Sequence, residues 1–209
     1  MATIDLPNNI LEALSTVLQQ LQQSLPEVKQ APDFSAIAFK WENGELKAIH
    51  QLKRIELNDL KGIERQKEKV LQNTEQFLNG LPANDVLLTG SRGTGKSSIV
   101  RALLTEYAEQ GLRLIEIERD DLSELPEIQK LIAERPEKFI VYCDDLAFNA
   151  EDENYRSLKS VLDGSLQSGS SNFIIYATSN RRHLLPEFMH ENTPVTRVDV
   201  PQYLSLIHI

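Results

Sequence analysis

One eight-residue segment constrains the fold of this chain more than any other. Residues 90–97 read GSRGTGKS and fit the pattern G-x-x-x-x-G-K-[ST]. A short apolar run, residues 86–89, precedes the segment, and a helical pattern follows it. In this setting glycines let the backbone turn tightly, so that its N–H groups and the helix N-terminus approach phosphate oxygens. The segment therefore predicts a strand, a phosphate-binding loop and a helix in succession.

The side chains of this loop predict how a nucleoside triphosphate is bound. Lys96 is expected to contact the β- and γ-phosphates, and Ser97 to offer its hydroxyl to Mg²⁺, which prefers oxygen ligands. The alternative is a glycine-rich turn with a surface lysine, which the flanking strand and helix disfavour. The predicted nucleotide contacts in and after the loop are Gly90, Ser91, Arg92, Gly93, Thr94, Gly95, Lys96, Ser97 and Ser98.

Two carboxylates follow another apolar run, residues 139–143. In phosphate-loop enzymes an acidic residue at such a strand end completes the Mg²⁺ shell, and Asp144 suits this role. Asp145 is predicted to act as the general base that polarises the attacking water. The alternative is an acidic turn or helix cap, which the phosphate-binding loop upstream disfavours. Cys143, on the apolar run itself, is predicted to be a small buried hydrophobe.

A third apolar run, residues 173–177, also ends in polar residues. Strand ends on this side of an open parallel sheet face the ligand crevice. Asn180 is therefore predicted to hold the γ-phosphate or the attacking water through its amide. By itself the sequence Thr-Ser-Asn would indicate only a turn.

Short apolar runs alternate with helical patterns through the second half of the chain, which predicts a parallel sheet covered on both faces. The predicted strands are 86–89, 113–117, 139–143, 173–177 and 195–200, and the predicted helices are 66–78, 95–109, 126–134 and 154–166.

The first fifty residues predict a helix and a hairpin. Apolar residues recur at helical spacing over residues 8–25, forming a stripe that packs on its own domain, on a partner or on another copy. Residues 34–49 predict a hairpin, because two short runs rich in apolar and aromatic residues flank Glu42-Asn43-Gly44, and Asn-Gly is a strong tight-turn signal. Trp41 in this hairpin is expected to pack within it; the alternative is a ligand platform.

The composition excludes several classes of protein. Lys and Arg number 22 against 31 Asp and Glu, a net charge of −9, which argues against coating nucleic acid but leaves room for a local basic patch. A single cysteine excludes an internal disulfide, and the four histidines lack zinc-ligand spacing. We find no apolar run of 18 residues and no signal peptide, so a cytoplasmic protein without a membrane span is expected.

The three motifs, in this order, resemble the AAA+ branch of phosphate-loop ATPases. Residues 90–97 match its Walker A motif, residues 139–145 its Walker B motif, and Asn180 its sensor 1. Most members end Walker B in Asp-Glu, whereas this chain has Asp-Asp. Over about residues 50–200, stretches such as TGSRGTGKSSIVRALL, CDDLAF and YATSNRRHLLPE more narrowly resemble a bacterial family catalogued as domain of unknown function 815.

The AAA+ resemblance implies a three-layer α/β sandwich with a five-stranded parallel sheet in the order 5-1-4-3-2. It also implies that the segment before the loop holds the adenine, with Leu60, Gly62 and Ile63 as the matching residues. AAA+ proteins usually complete the site with an arginine from a neighbouring subunit of a homo-oligomer. The arginines near the site that could do this, or could simply be exposed, are Arg181, Arg182 and Arg197.

Residues 204–209 read LSLIHI, which resembles the translation of a sequencing adaptor. We therefore expect them to be foreign to the protein and expect the AAA+ lid to be missing. The predicted domains are a helix and hairpin extension over residues 1–50 and an ATPase core over residues 51–203.

The predicted function is Mg²⁺-dependent ATP hydrolysis that drives a conformational change in a partner or an oligomer, the last step by family analogy. Three alternatives stay open: a nucleotide-gated interaction module with little turnover, a nucleic-acid loader or remodeller, and a small-molecule kinase.

Overall fold

The computed structural model describes residues 15–17, 31–146, 172–180 and 204–209. The chain divides into two units, Met1–Ala31 and Pro32–Ile209. In the first unit residues 15–17 are helical, and the rest of the helix predicted over 8–25 lies outside the described residues. The predicted helix 154–166, the predicted strand 195–200, and Arg181, Arg182 and Arg197 also lie outside them.

The second unit alternates strands and helices from residue 38 onward. Its strands are β1 (Ala38–Glu42), β2 (Glu45–Ala48), β3 (Asp85–Thr89), β4 (Leu112–Ile117), β5 (Lys138–Cys143), β6 (Phe173–Ser179) and β7 (Leu204–His208). Its helices are α1 (Glu64–Leu78), α2 (Lys96–Tyr107) and α3 (Leu125–Ile132), with 3₁₀ turns at Leu57–Asp59, Ala108–Gln110 and Arg119–Glu124. In the described part of the chain, no helix is both long and apolar enough to cross a membrane.

These seven strands form one mixed sheet in the order β2-β1-β4-β5-β6-β3-β7. The prediction of a five-stranded, fully parallel sheet is therefore wrong. The sheet has more strands because the hairpin joins it at one edge: β1 pairs antiparallel with β2 and parallel with β4. The inner four strands, β3, β6, β5 and β4, are parallel and follow the expected order 1-4-3-2.

The outermost parallel strand, β7, pairs with β3. It is formed by residues 204–208, not by the predicted strand 195–200. That these residues are foreign to the protein stays a prediction.

The hairpin predicted around Asn43-Gly44 is confirmed. The two residues have φ angles of 55° and 71°, the left-handed conformation that a two-residue hairpin turn requires. Trp41 is 1% exposed, packs in the core and donates a hydrogen bond of 2.6 Å from its indole N–H to Glu124. It thus serves packing, as expected, and ties β1 to the turn before α3.

Both faces of the sheet are covered, as the apolar strands predicted. Alternate residues of each strand point to opposite faces. On β5, Phe139, Val141 and Cys143 belong to the core beneath α3, whereas Ile140 and Tyr142 belong to the core beneath α1 and α2. Burial raises the pKa of the Cys143 thiol to about 12 and keeps it in the neutral form.

A buried polar network fixes α1 against the centre of the sheet. The hydroxyl of Tyr176 on β6 lies 2.8 Å from the Thr74 hydroxyl and accepts a 3.0 Å hydrogen bond from the Asn73 amide. Asn73 also binds the backbone N–H and C=O of Asn84, just before β3. Helix α1 and strand β3 are therefore held in one position relative to β6.

Asp85, the first residue of β3, is a buried carboxyl. Its Oδ1 accepts a 2.7 Å hydrogen bond from the backbone N–H of Ile175 on β6. Burial raises the pKa of Asp85 from 3.8 to about 6, and the hydrogen bond from Ile175 only partly offsets this. Ionisation of Asp85 is therefore less favourable in the folded protein than in the unfolded chain.

Asp85→Asn is expected to change how stability depends on pH. As pH rises from 3.8 to about 6, the folded wild type retains a proton that the unfolded chain has lost, so its stability falls. The asparagine variant keeps an oxygen acceptor and cannot ionise. Its free energy of unfolding relative to wild type should rise by up to about 3 kcal/mol between low pH and pH 7.

Urea unfolding of both proteins at several pH values measures this difference. Glu109→Gln, which removes an exposed carboxylate, is the matched control and should follow the wild-type pH profile. An Asp85→Asn profile parallel to wild type would contradict the prediction.

Candidate functional site

The loop between β3 and α2 has a backbone that requires glycine. Gly93 has a φ angle of 81° and Gly95 one of 93°, a left-handed conformation that side chains disfavour. Gly95 is the N-cap of α2, so the N–H groups of the first helical turn face the loop. The Thr94 hydroxyl donates a 2.9 Å hydrogen bond to the Ser91 carbonyl and closes the loop. This geometry suits an anion placed at the helix N-terminus.

Lys96 is held inside this loop and is only 6% exposed. Its ammonium donates hydrogen bonds to the carbonyls of Gly90 and Ser91, at 2.8 and 2.7 Å, and to Asn180 Oδ1, at 3.1 Å. The predicted contact with phosphates stays a prediction. The lysine lies at the loop, and its partners are neutral oxygens that a phosphate oxygen can replace.

The Asp144 carboxylate accepts hydrogen bonds from side chains of three elements, α2, β5 and β6. Its Oδ1 accepts from the Ser97 hydroxyl at 2.9 Å, from the Tyr142 hydroxyl at 2.7 Å and from the Thr178 hydroxyl. The backbone N–H of Asp145 adds a fourth bond at 3.1 Å. The two residues that the sequence assigned to Mg²⁺, Ser97 and Asp144, are therefore in direct contact.

Two opposing effects act on the pKa of Asp144. Burial raises it, while the hydroxyls of Thr178, Tyr142 and Ser97 lower it by stabilising the anion. The hydrogen bonds prevail, and the pKa lies below its ordinary value. The carboxylate is therefore ionised at neutral pH, as a ligand for a cation must be.

Asn180 joins the second carboxylate to the lysine. Its side-chain N–H₂ donates a 2.6 Å hydrogen bond to Asp145 Oδ1, while its Oδ1 accepts from Lys96. Asp145 itself has a φ angle of 52°, a left-handed conformation that is uncommon for non-glycine residues, although Asp and Asn adopt it more readily than most. All three residues predicted to act in catalysis, Lys96, Asp145 and Asn180, thus belong to one connected network.

The predicted adenine segment lies beside the loop. Ile63 packs against Gly95: its Cδ1 is 3.5 Å from where a Cβ on Gly95 would lie. Lys67 on α1 donates to the carbonyls of Leu57 and Leu60, at 3.1 and 2.8 Å, and so anchors the turn before Gly62. The contact of Gly62 and Ile63 with a base stays a prediction.

The remaining predicted contacts lie on the accessible part of the loop and helix. Ser91 and Arg92 are exposed, and Thr94, Ser97 and Ser98 are half-buried.

The donor set fits Mg²⁺. The hydroxyl of Ser97 and the carboxylate of Asp144 are oxygen ligands, which hard divalent cations prefer. Among the residues described, no three His, Cys, Asp or Glu side chains cluster as a metal site. Mg²⁺ is usually bound by one or two protein oxygens together with phosphate oxygens and water, so a hydroxyl and a carboxylate suit this ion.

The sequence reasoning missed Tyr142 and Thr178. Tyr142 lies near the end of β5, two residues before Asp144, so extending the strand alternation by one residue would have placed both side chains on one side. Thr178 required the pairing of β5 with β6, which no local pattern reveals.

A model of the family described as "Protein of unknown function (DUF815)" matches residues 34–202 of this chain. The family resemblance read from the sequence is thereby confirmed. No curated protein sequence matches the chain significantly.

Three solved structures are similar over part of this chain. A "DNA replication initiation factor" is 19% identical with a TM-score of 0.48, and the match covers 77% of this chain and 51% of that one. AMPPCP-bound DnaA from Aquifex aeolicus is 20% identical, with a TM-score of 0.42 and coverages of 61% and 42%. Rhizobiales Trip13 is 12% identical, with a TM-score of 0.46 and coverages of 73% and 63%. This chain thus spans less than two thirds of their lengths.

Gly95→Ala and Gly111→Ala form a matched pair that tests the loop. Both glycines have a φ angle of 93°, and a Cβ meets no severe clash at either. Each substitution is expected to lower the free energy of unfolding by about 1–2 kcal/mol, the cost of a left-handed residue. Only Gly95→Ala should also weaken binding of a fluorescent ATP analogue, because only Gly95 shapes the loop. Equal losses of affinity in the two variants would contradict this.

Proposed function

This chain belongs to the DUF815 family, and we propose that it is a Mg²⁺-dependent ATPase of the AAA+ type. One contact carries the proposal: the Ser97 hydroxyl donates to the Asp144 carboxylate although 47 residues separate them. A phosphate-binding loop and an acidic strand end that meet in this way form the Mg²⁺-binding half of a phosphoryl-transfer site.

In this proposal the loop and Lys96 bind the triphosphate. The ammonium exchanges the carbonyls of Gly90 and Ser91 for β- and γ-phosphate oxygens, which pair better with a cation. The Mg²⁺ held by Ser97 and Asp144 neutralises charge on the same phosphates when bound. Gly62 and Ile63, beside the loop, border the adenine.

The catalytic carboxylate in this proposal is Asp145. Water attacks the γ-phosphorus, Asp145 accepts the water's proton, and ADP leaves with the electron pair of the broken P–O bond. The support is the 2.6 Å hydrogen bond from Asn180 to Asp145. That bond orients the carboxylate, and the same amide accepts a hydrogen bond from Lys96, which in this proposal binds the γ-phosphate.

The proposal includes assembly. A second copy would supply an arginine to the site, with Arg181, Arg182 and Arg197 as candidates in this sequence. An arginine beside the γ-phosphate stabilises the charge that develops in the transition state. Hydrolysis would then drive a conformational change in the oligomer or in a protein partner.

Two substitutions separate binding from chemistry. Lys96→Ala is expected to abolish both ATP-analogue binding and phosphate release from Mg-ATP. Asp145→Asn should retain binding but lower phosphate release about 100-fold or more, because general-base catalysis contributes that much. Asp120→Asn, an exposed aspartate elsewhere, is the control and should match wild type.

Phosphate release is measured over a range of protein concentrations. A rate per chain that rises with concentration supports a site completed by a second copy. Analogue binding without phosphate release in the wild-type chain at every concentration would contradict the ATPase and indicate a nucleotide-gated interaction module.

A further inference from the structure

We propose that Thr178 is a positioning residue whose single hydroxyl places both carboxylates of the site, Asp144 and Asp145. The catalytic importance of Thr178 rests on the proposed function, whereas the hydrogen bonds by which it holds Asp144 and Asp145 do not. The hydroxyl donates to Asp144 Oδ1 and accepts a 2.9 Å hydrogen bond from the backbone N–H of Asp145. One group therefore sets the metal-binding carboxylate and the backbone that carries the base.

The strand register puts Thr178 where it can do this. Strands β5 and β6 are parallel, and Cys143 pairs with Ala177. The residues that follow this pair are Asp144, immediately after β5, and Thr178 on β6, so the two side chains are neighbours at the same sheet edge. Thr178 is 1% exposed, which keeps water from competing for its hydroxyl.

The backbone after β5 depends on the same residue. Asp145 adopts a φ angle of 52°, an unfavourable conformation for a residue with a side chain. Two hydrogen bonds to Thr178 hold this turn: one from the N–H of Asp145 to the hydroxyl, and one of 2.6 Å from the N–H of Leu146 to the carbonyl. The turn aims the Asp145 carboxylate at Asn180, which binds it.

The metal-binding carboxylate is oriented in an asymmetric way. Within the described part of the chain, every hydrogen bond to Asp144 ends on Oδ1. The described donors therefore hold the Asp144 carboxylate through one of its two oxygens. Tyr142 shares this task, since its hydroxyl also donates to Oδ1, but it makes no described hydrogen bond to Asp145.

Because Thr178 binds both Asp144 and Asp145 whereas Tyr142 binds Asp144, variants of the two residues are compared in the experiment. Thr178→Val removes the hydroxyl at nearly constant volume and should disturb both carboxylates. Tyr142→Phe should disturb Asp144 alone. Thr178→Ser keeps the hydroxyl, and Thr105→Val, on the outer face of α2, is the matched control.

Two quantities are measured for each variant. The affinity for Mn²⁺, a paramagnetic substitute for Mg²⁺, is determined by electron paramagnetic resonance with a non-hydrolysable ATP analogue and requires no turnover. The kcat for phosphate release is measured at saturating Mg²⁺.

Thr178→Val is expected to lower Mn²⁺ affinity about 10-fold or more and kcat about 10- to 100-fold, the usual effect of losing a group that orients a metal ligand. Tyr142→Phe should weaken Mn²⁺ binding while leaving kcat at saturating Mg²⁺ within about 2-fold of wild type. Thr178→Ser and Thr105→Val should match wild type in both.

The positioning role would be overturned if Thr178→Val had the Mn²⁺ affinity and kcat of the wild type. It would also be overturned if Thr178→Ser lost as much Mn²⁺ affinity and kcat as Thr178→Val. If melting curves show that Thr178→Val does not fold, Thr178→Ala is measured instead, and wild-type metal affinity in that variant overturns the proposal. Failure of the proposed ATPase is a separate result: the wild type then releases no phosphate, while the Mn²⁺ measurement still tests Thr178.

Discussion

The parallel register of β5 with β6 is the constraint on which the site depends. Pairing Cys143 with Ala177 brings Asp144 beside Thr178 at the carboxyl edge of the sheet. The register of β3 with β6, which pairs Thr89 with Ser179, brings the glycine-rich loop between β3 and α2 to the same edge. A shift of either pair by one residue would turn a polar side chain away from the edge and into an apolar layer.

The buried network at Tyr176 and the buried carboxyl of Asp85 protect this register. Tyr176 connects β6 to α1 through Thr74 and Asn73, and Asp85 connects β3 to the backbone of β6 at Ile175. Each would cost stability if its partner moved, because an unpaired buried polar group loses its hydration without replacement. A shifted register would leave these buried polar groups unpaired and is therefore disfavoured.

Lys96, Asp144 and Asp145, the three charges at the centre of the site, each have a polar partner. Lys96 is surrounded by carbonyl oxygens and the Asn180 amide, and Asp144 by hydroxyls. Asn180 stands between the ammonium and the Asp145 carboxylate and binds both. An amide can do this because it carries a donor and an acceptor at once. A ligand that attracts Lys96 must therefore also affect Asn180 and, through it, Asp145.

The sequence alone determined the glycine-rich loop, the two carboxylates after β5, Asn180 after β6 and the Asn43-Gly44 hairpin, because each is a local pattern whose backbone or chemistry follows from residues next to one another. Only the tertiary structure decided that the hairpin extends the sheet, that residues 204–208 pair with β3, and that Thr178 orients Asp144. These features depend on which strand edges meet and in which register. Residues far apart in the chain make that choice through packing, and no local pattern records it.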